Sequence, residues 1–377
     1  MLKNSKVSLA VLALGLTIVS CQKETELNEV TSPASSMNSF QMSSDVENTP
    51  VLEMQQGLLK ELPEVGHNLR EDMSPAVDAS PCGTTNFVQV QNYYFGLLGN
   101  DLVPIFGVDG ANYLFGLYMD LNFYYAYLDR GEQYFGADGK YTNFMVKRQR
   151  ELEKFWDMPN EVRINGQHTA TLNDREKLAD IWELVGVEVN SREEAYAIAD
   201  QYLFYNSLAS TLPESPFFAL DGFATPSNLI VVGDGIVQML TEAGVEEDIA
   251  WTGIVSHEWG HQIQFNHTTS WYPEGANADP VAATRHTELE ADFFSAYFMT
   301  HKRGATYNWK RVEEFFELFV NIGDCSFDSA NHHGTPAQRL RAARLGYDLA
   351  NSAHKQGHVL SIDELHSFFM ENVEGLL

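Results

Sequence analysis

Two histidines four residues apart, His257 and His261, enclose the acid Glu258 in the sequence HEWGH. The apolar residues before this motif predict a helix over 248–265, and residues four apart lie on one helical face. Both imidazoles can therefore bind one zinc ion, while Glu258 lies beside a water molecule on that ion. Glu258 is then the expected general base. A motif this short also occurs by chance, so a third ligand is required.

A second motif, ELEAD at 288–292, follows on a helix predicted over 284–302. Glu288 and Asp292 are one helical turn apart and share a face, whereas Glu290 is rotated by roughly 200° from Glu288. We therefore expect Glu288 to be the third zinc ligand and Asp292 to hold a ligand imidazole by its other N–H. The alternative, a solvated face of acidic residues, applies to either motif taken alone.

A third motif places two histidines, His332 and His333, just before a predicted helix over 336–352. Thr335 at the N-cap and Gln338 three residues later predict a capping box, which gives this helix a rigid start. A histidine at that point can donate a hydrogen bond to a developing oxyanion. His333 is the first candidate for this catalytic role and His332 the second, although a loop without a role fits the spacing as well.

In this order along the chain, the three motifs resemble those of the bacterial neutral zinc metallopeptidases, which are gluzincins. The resemblance covers about residues 229–347, and residues 87–221 do not share it. In gluzincins the first Glu of the second motif binds zinc and the Asp four residues later orients a histidine, which implies these roles for Glu288 and Asp292. The resemblance also implies a zincin-like fold and a peptide or protein substrate.

The N-terminus predicts export. Lys3 and Lys6 precede an uncharged apolar run of 14 residues, 7–20, that ends before Cys21. This run is shorter than the roughly 20 residues that a membrane-spanning helix needs. It resembles a bacterial lipoprotein signal, so that residues 1–20 are removed and Cys21 is lipidated. The sequence QKETE at 22–26 resembles the short acidic signal that sends some outer-membrane lipoproteins to the cell surface, and we expect that location.

Charge and composition limit the remaining partners. The chain has 24 Lys and Arg against 52 Asp and Glu, a formal net charge of −28. Such a surface repels nucleic acid and anionic lipid, so we expect membrane contact only through the lipid anchor. Residues 21–81 are poor in aromatic side chains and predict a flexible acidic tether. We interpret residues 82–377 as one monomeric catalytic domain, with an aromatic-rich helical part at 87–221 and a motif-bearing part at 229–377.

The expected fold is mainly α (α+β), with a small sheet and a helix-rich C-terminal half. Alternation predicts a strand at 88–91, and an apolar run predicts another at Leu229–Val232, closed by a turn at 233–235. This second strand is either an edge strand that pairs with an extended peptide substrate or an ordinary core strand. Apolar periodicity predicts helices over 114–128, 143–156, 173–184, 192–209, 248–265, 284–302, 309–321, 336–352 and 362–372.

Some alternatives stay open. With Cys21 lipidated, Cys82 and Cys325 remain as a pair in an oxidising compartment, where a disulfide forms only if the two Cα atoms come within bridging distance. A surface lipoprotein that binds glycan or peptide through residues 87–127 would carry an incidental or degenerate zinc motif. A zinc hydrolase that cleaves other bonds is a third hypothesis.

Overall fold

A computed structural model describes residues 58–60, 86–271, 280–319, 334–353 and 357–377. Within these residues the chain is mainly helical and has one three-stranded sheet, as the sequence predicted. No helix in this part of the chain is both long and apolar enough to span a bilayer. Five residues singled out by the sequence lie outside the described residues: Cys21, Cys82, Cys325, His332 and His333.

The described residues form ten α-helices, three strands and three short 3₁₀ turns. Each of the nine predicted helices overlaps an observed one, whereas the helix at Asp234–Glu242 and the strands at Arg163–Gln167 and Gly222–Thr225 were not predicted. The helices are α1 (Asn86–Leu128), α2 (Thr142–Phe155), α3 (Arg175–Val185), α4 (Arg192–Leu208), α5 (Asp234–Glu242), α6 (Glu247–Trp271), α7 (Pro280–Thr300), α8 (Trp309–Phe319), α9 (Pro336–Ala353) and α10 (Ile362–Asn372). The strands are β1 (Arg163–Gln167), β2 (Gly222–Thr225) and β3 (Leu229–Gly233), and short 3₁₀ turns span Thr169–Asn173, Pro216–Ala219 and Val373–Gly375.

The strand predicted at 88–91 is wrong, because these residues belong to α1. The buried side chains of Phe87, Leu98 and Leu102 are spaced by 11 and 4 residues, which matches whole turns of a helix. An alternation of only four residues carries less information than this longer period. Gly107, with φ of 71°, interrupts the helical backbone within α1.

One compact unit comprises Gln91–Asp129 and Gln167–Ala219 together with residues 58–60. Its core is aromatic: the ring of Tyr118 contacts that of Tyr202, and Tyr202 stacks on Trp182. Tyr118 also donates a hydrogen bond of 2.6 Å to Asn206. Several aromatic residues of the 87–127 segment are therefore structural, because they fill this core.

The other unit contains Arg130–Gly166 and the described part of Leu220–Leu377. Its sheet has the order β1-β3-β2, and β2 pairs antiparallel to β3 with Phe223 opposite Val231. Since β3 is the central strand and is buried along its length, the edge-strand hypothesis for Leu229–Val232 is wrong and the core-strand alternative is confirmed. The predicted turn at 233–235 is also wrong, because α5 begins directly at Asp234.

Helix α7 packs against both α6 and α9, and two glycines permit the close approach. A Cβ atom on Gly260 of α6 would lie 2.9 Å from Cα of Ala291 on α7. A Cβ atom on Gly346 of α9 would lie 2.3 Å from the carbonyl oxygen of Phe293. The backbones themselves are in contact. Helices α6 and α7, which carry the HEWGH and ELEAD motifs, therefore have little freedom to separate.

We predict that Gly260→Ala destabilises the chain by about 1–3 kcal/mol, because the new methyl group meets backbone atoms that cannot move aside. The free energy of unfolding in urea measures this effect. Gly96→Ala in α1 is the matched control, since a Cβ atom there meets nothing within 4 Å. This control should stabilise the chain by about 0.5–1 kcal/mol. A Gly260→Ala variant as stable as the control would refute the close contact of α6 with α7.

Candidate metal centre

Helices α6 and α7 bring three potential ligand atoms to one point. Nε2 of His257 lies 3.1 Å from Nε2 of His261 and 3.4 Å from Oε2 of Glu288, and His261 Nε2 lies 3.2 Å from Oε1 of Glu288. Two ligand atoms bound tetrahedrally at about 2.0–2.1 Å from one ion lie about 3.3 Å apart. The observed separations fit this value, so the buried group could bind a metal ion.

The general-base candidate, Glu258, follows the first ligand directly on α6 and is fully buried. From Ile249 to Gln264 every residue of this helix is buried, so the motif lies in the interior rather than on a solvated face. The solvated-face alternative for Glu288 and Asp292 is wrong for the same reason, because both carboxylates are at most 1% exposed. Buried carboxylates require compensating charge or hydrogen bonds.

Asp292 makes the contact that the sequence predicted for it. Its Oδ1 lies 3.0 Å from Nδ1 of His257, and Arg339 of α9 donates to both of its oxygens, from Nε at 2.7 Å and from Nη2 at 3.0 Å. An ionised carboxylate only accepts hydrogen bonds, so the Nδ1 proton of His257 points to Asp292. Nε2 of His257 therefore faces Glu288 and His261, as a metal ligand requires.

Asp292 and Glu288 strongly change the pKa of His257. Burial alone would lower the pKa of this imidazole, but its hydrogen bonds to Asp292 and Glu288 and the charges of these carboxylates raise the pKa to about 10. In the metal-free chain the imidazole is therefore protonated and supplies positive charge to the cluster. A metal ion that binds Nε2 takes the place of this proton.

Negative charge predominates around the three ligand atoms. Four carboxylates of α6 and α7 are at most 1% exposed, those of Glu258, Glu288, Glu290 and Asp292, and in the metal-free chain Arg339 and the imidazolium of His257 offset only two of them. Arg339 Nη2 also lies 3.7 Å from Oε2 of Glu288. A cation between the imidazoles and Glu288 would reduce the remaining excess of negative charge.

The second acid of the ELEAD motif has a role that the sequence did not predict. Glu290 does not belong to the group of three potential metal ligands, as its position on the other side of the helix from Glu288 predicted. It is buried, and its carboxylate accepts hydrogen bonds from Gln264 and His366. Gln264 in turn bonds to His261. The three-residue spacing of His261 and Gln264 on one helix could have indicated this contact, whereas nothing local in the sequence pointed to His366.

The capping box predicted before α9 is confirmed. The Thr335 hydroxyl accepts from the Gln338 backbone N–H at 3.2 Å, and the Gln338 side chain accepts from the Thr335 N–H at 2.8 Å. Gly334 before it has φ of 95°, a conformation that favours glycine. This rigid start fixes where Arg339, the residue after Gln338, lies on the helix. Sequence reasoning gave Arg339 no role, because Asp292 lies 47 residues away in the chain.

We predict that Arg339→Leu destabilises the chain by about 3–5 kcal/mol, since it leaves Asp292 buried without its main cationic partner. Urea unfolding of the metal-free protein measures the loss. The control is Arg344→Leu on the same helix, where the arginine is half exposed and pairs with Asp348 at 3.2 Å. Exposed pairs contribute little, so the control should lose less than about 1 kcal/mol. Equal losses in the two variants would contradict the proposed charge compensation.

The chain matches no protein-family model, no curated protein and no solved structure. The interpretation of the centre therefore depends on the geometry and the chemistry of its own residues.

Proposed function

We propose that this chain is a zinc-dependent metallopeptidase of the gluzincin type, related to the bacterial neutral zinc metallopeptidases that its motifs resemble. One observation carries the proposal. His257, His261 and Glu288 present three ligand atoms within 4.8 Å of one another, and Glu258 directly follows His257 in the chain. Two imidazoles, one carboxylate ligand and an adjacent acid are the set of groups that a zinc peptidase uses.

The chemistry of the ligands favours zinc over the common hard cations. Two ring nitrogens and one carboxylate form a His₂Glu set, which is typical of catalytic zinc and leaves a fourth position for water or substrate. Calcium and magnesium prefer sites made of oxygen atoms alone. Asp292 behind His257 completes a carboxylate–histidine pair of the kind that orients zinc ligands.

His257, His261 and Glu288 would hold the ion. A zinc ion there would supply a Lewis acid and a water molecule whose pKa is lowered toward about 7. Glu258 accepts a proton from the attacking water and returns it to the leaving amine as general acid. Glu258 is fully buried, so its carboxylate is shielded from bulk water.

The developing oxyanion needs a further hydrogen-bond donor. We propose His333 as the first candidate for this role and His332 as the second. Both precede the capped start of α9, which also carries Arg339. We propose a peptide or protein as substrate.

We also propose that Cys21 anchors the enzyme in the outer membrane, at the cell surface.

A glycan- or peptide-binding lipoprotein with a degenerate motif receives less support. Phe115, Tyr118 and Phe123 of its postulated binding segment are buried in the core. The metal ligands and Glu258 are intact. A zinc hydrolase that cleaves other bonds would use the same residues, and only a substrate screen separates it from a peptidase.

We predict that the purified chain binds about one zinc ion and that Glu258→Gln keeps the metal but loses peptide hydrolysis. His261→Ala and Glu288→Ala should lose both the metal and the activity, because each removes a ligand. Metal analysis together with digestion of a broad peptide library measures both properties. Gln262→Leu is the control, since this buried residue bonds to Asn228 rather than to a ligand.

Two outcomes would contradict the proposal. A Glu258→Gln variant that hydrolyses peptides at the wild-type rate would exclude Glu258 as general base. A wild-type chain that binds zinc but cleaves only other classes of substrate would support the non-peptide hydrolase.

A further inference from the structure

A second chain of hydrogen bonds runs from His261 toward the C-terminal helix α10. Nδ1 of His261 lies 2.9 Å from Oε1 of Gln264. Nε2 of Gln264 lies 2.8 Å from the carbonyl oxygen of Thr287 and 3.1 Å from Oε2 of Glu290. The other oxygen of Glu290 lies 2.6 Å from Nδ1 of His366 on α10. We call Gln264, Glu290 and His366 the Gln264 network.

The surroundings of Gln264 determine which way its amide points. The Thr287 carbonyl and the Glu290 carboxylate both accept hydrogen bonds, so both must face the NH₂ group of the amide. The amide oxygen then faces His261 and can only accept, so Nδ1 of His261 carries the proton. In the neutral imidazole with its proton on Nδ1, the lone pair is on Nε2, which lies 3.1 Å from Nε2 of His257 and 3.2 Å from Oε1 of Glu288, and this is the tautomer that binds a metal ion.

His366 holds Glu290 from the other side. It donates to Glu290 and lies flat on the ring of Trp271, with centroids 3.9 Å apart and an angle of 3° between the planes. Trp271 donates from Nε1 to Asp363 at 3.1 Å, and Asp363 lies on α10 as well. These contacts leave the imidazole little freedom to turn, so α10 contributes to the orientation of the Glu290 carboxylate.

We propose that Gln264, Glu290 and His366 are positioning residues for His261, which together fix its tautomer and direct Nε2 to the metal ion. The affinity of the centre for metal thus depends on α10, a helix that supplies no ligand. This inference rests on the metal centre proposed above. It gives His261 the support that Asp292 and Arg339 give His257.

If the Gln264 network had only a structural role, the expected result would be different. The same bonds tie α6, α7 and α10 together, so their loss could lower stability without any effect on the metal. A positioning role changes the metal affinity and the ligand field of the bound ion as well. Loss of an outer hydrogen-bond partner of a ligand typically weakens metal affinity about 10–100-fold.

The experiment compares Gln264→Leu with Gln262→Leu in the otherwise intact chain. Both glutamines are buried on α6 next to the motif, but Gln262 bonds to Asn228. Zinc affinity is measured by competition with a chromophoric chelator, and the visible spectrum is recorded after loading with Co²⁺. We expect Gln264→Leu to bind zinc about 10–100-fold more weakly and to shift the cobalt spectrum. Gln262→Leu should match the wild type in both.

A second pair of variants tests the far end of the network at the more accessible His366. His366→Phe keeps an aromatic ring on Trp271 but cannot donate to Glu290, so it should weaken zinc binding. His366→Gln keeps a side-chain donor and should restore part of the affinity. This pair also carries the test if Gln264→Leu fails to fold.

Unchanged zinc affinity and cobalt spectrum in Gln264→Leu, or in His366→Phe, would overturn the inference, even if the metal-free variants unfold more easily. Equal weakening by Gln264→Leu and Gln262→Leu would also overturn it. A wild-type chain that binds neither zinc nor cobalt would overturn the metal centre itself. The failure of this inference is therefore distinguishable from the failure of the proposed function.

Discussion

The centre depends on the compensation of buried negative charge. Four carboxylates of α6 and α7 are almost completely excluded from solvent, and an ionised group in such a place costs several kcal/mol unless partners surround it. The partners come from separate helices: imidazoles from α6, a guanidinium from α9 and a further imidazole from α10. Packing and electrostatics therefore constrain each other, since each helix must be in place for the carboxylates of α7 to remain buried.

This constraint explains why the helices approach so closely. At Gly260 the backbone of α6 meets that of α7, and at Gly346 the backbone of α9 meets that of α7. Short distances between axes allow hydrogen bonds of 2.7–3.0 Å between side chains of different helices. The glycine inside the HEWGH motif has no chemical function in a zinc site, but here it permits the contact that brings Glu288 to the two histidines.

Local sequence information predicted the parts of the site that lie within one helix. The four-residue spacing of the histidines, the helical phase of Glu288 and the capping box at Thr335 follow from helix geometry, which is the same in every protein. Contacts between distant segments were not predictable in this way. Arg339 and His366 lie 47 and 76 residues from the acids they contact, and no local pattern encodes such pairs. Strand pairing is equally non-local, which is why the sequence left open whether β3 is an edge or a core strand and did not predict β1 and β2 on either side of it.

The two histidines receive different support, and the difference suits a catalytic ion. A carboxylate bonded directly to a ligand imidazole passes negative charge toward the ion and weakens its capacity to polarise a carbonyl. At His257 the guanidinium of Arg339 offsets the charge of Asp292. At His261 the neutral amide of Gln264 separates the imidazole from Glu290. Both arrangements fix the ligand imidazole without passing a full negative charge to the proposed zinc ion, so the ion would keep more of its capacity to polarise a carbonyl.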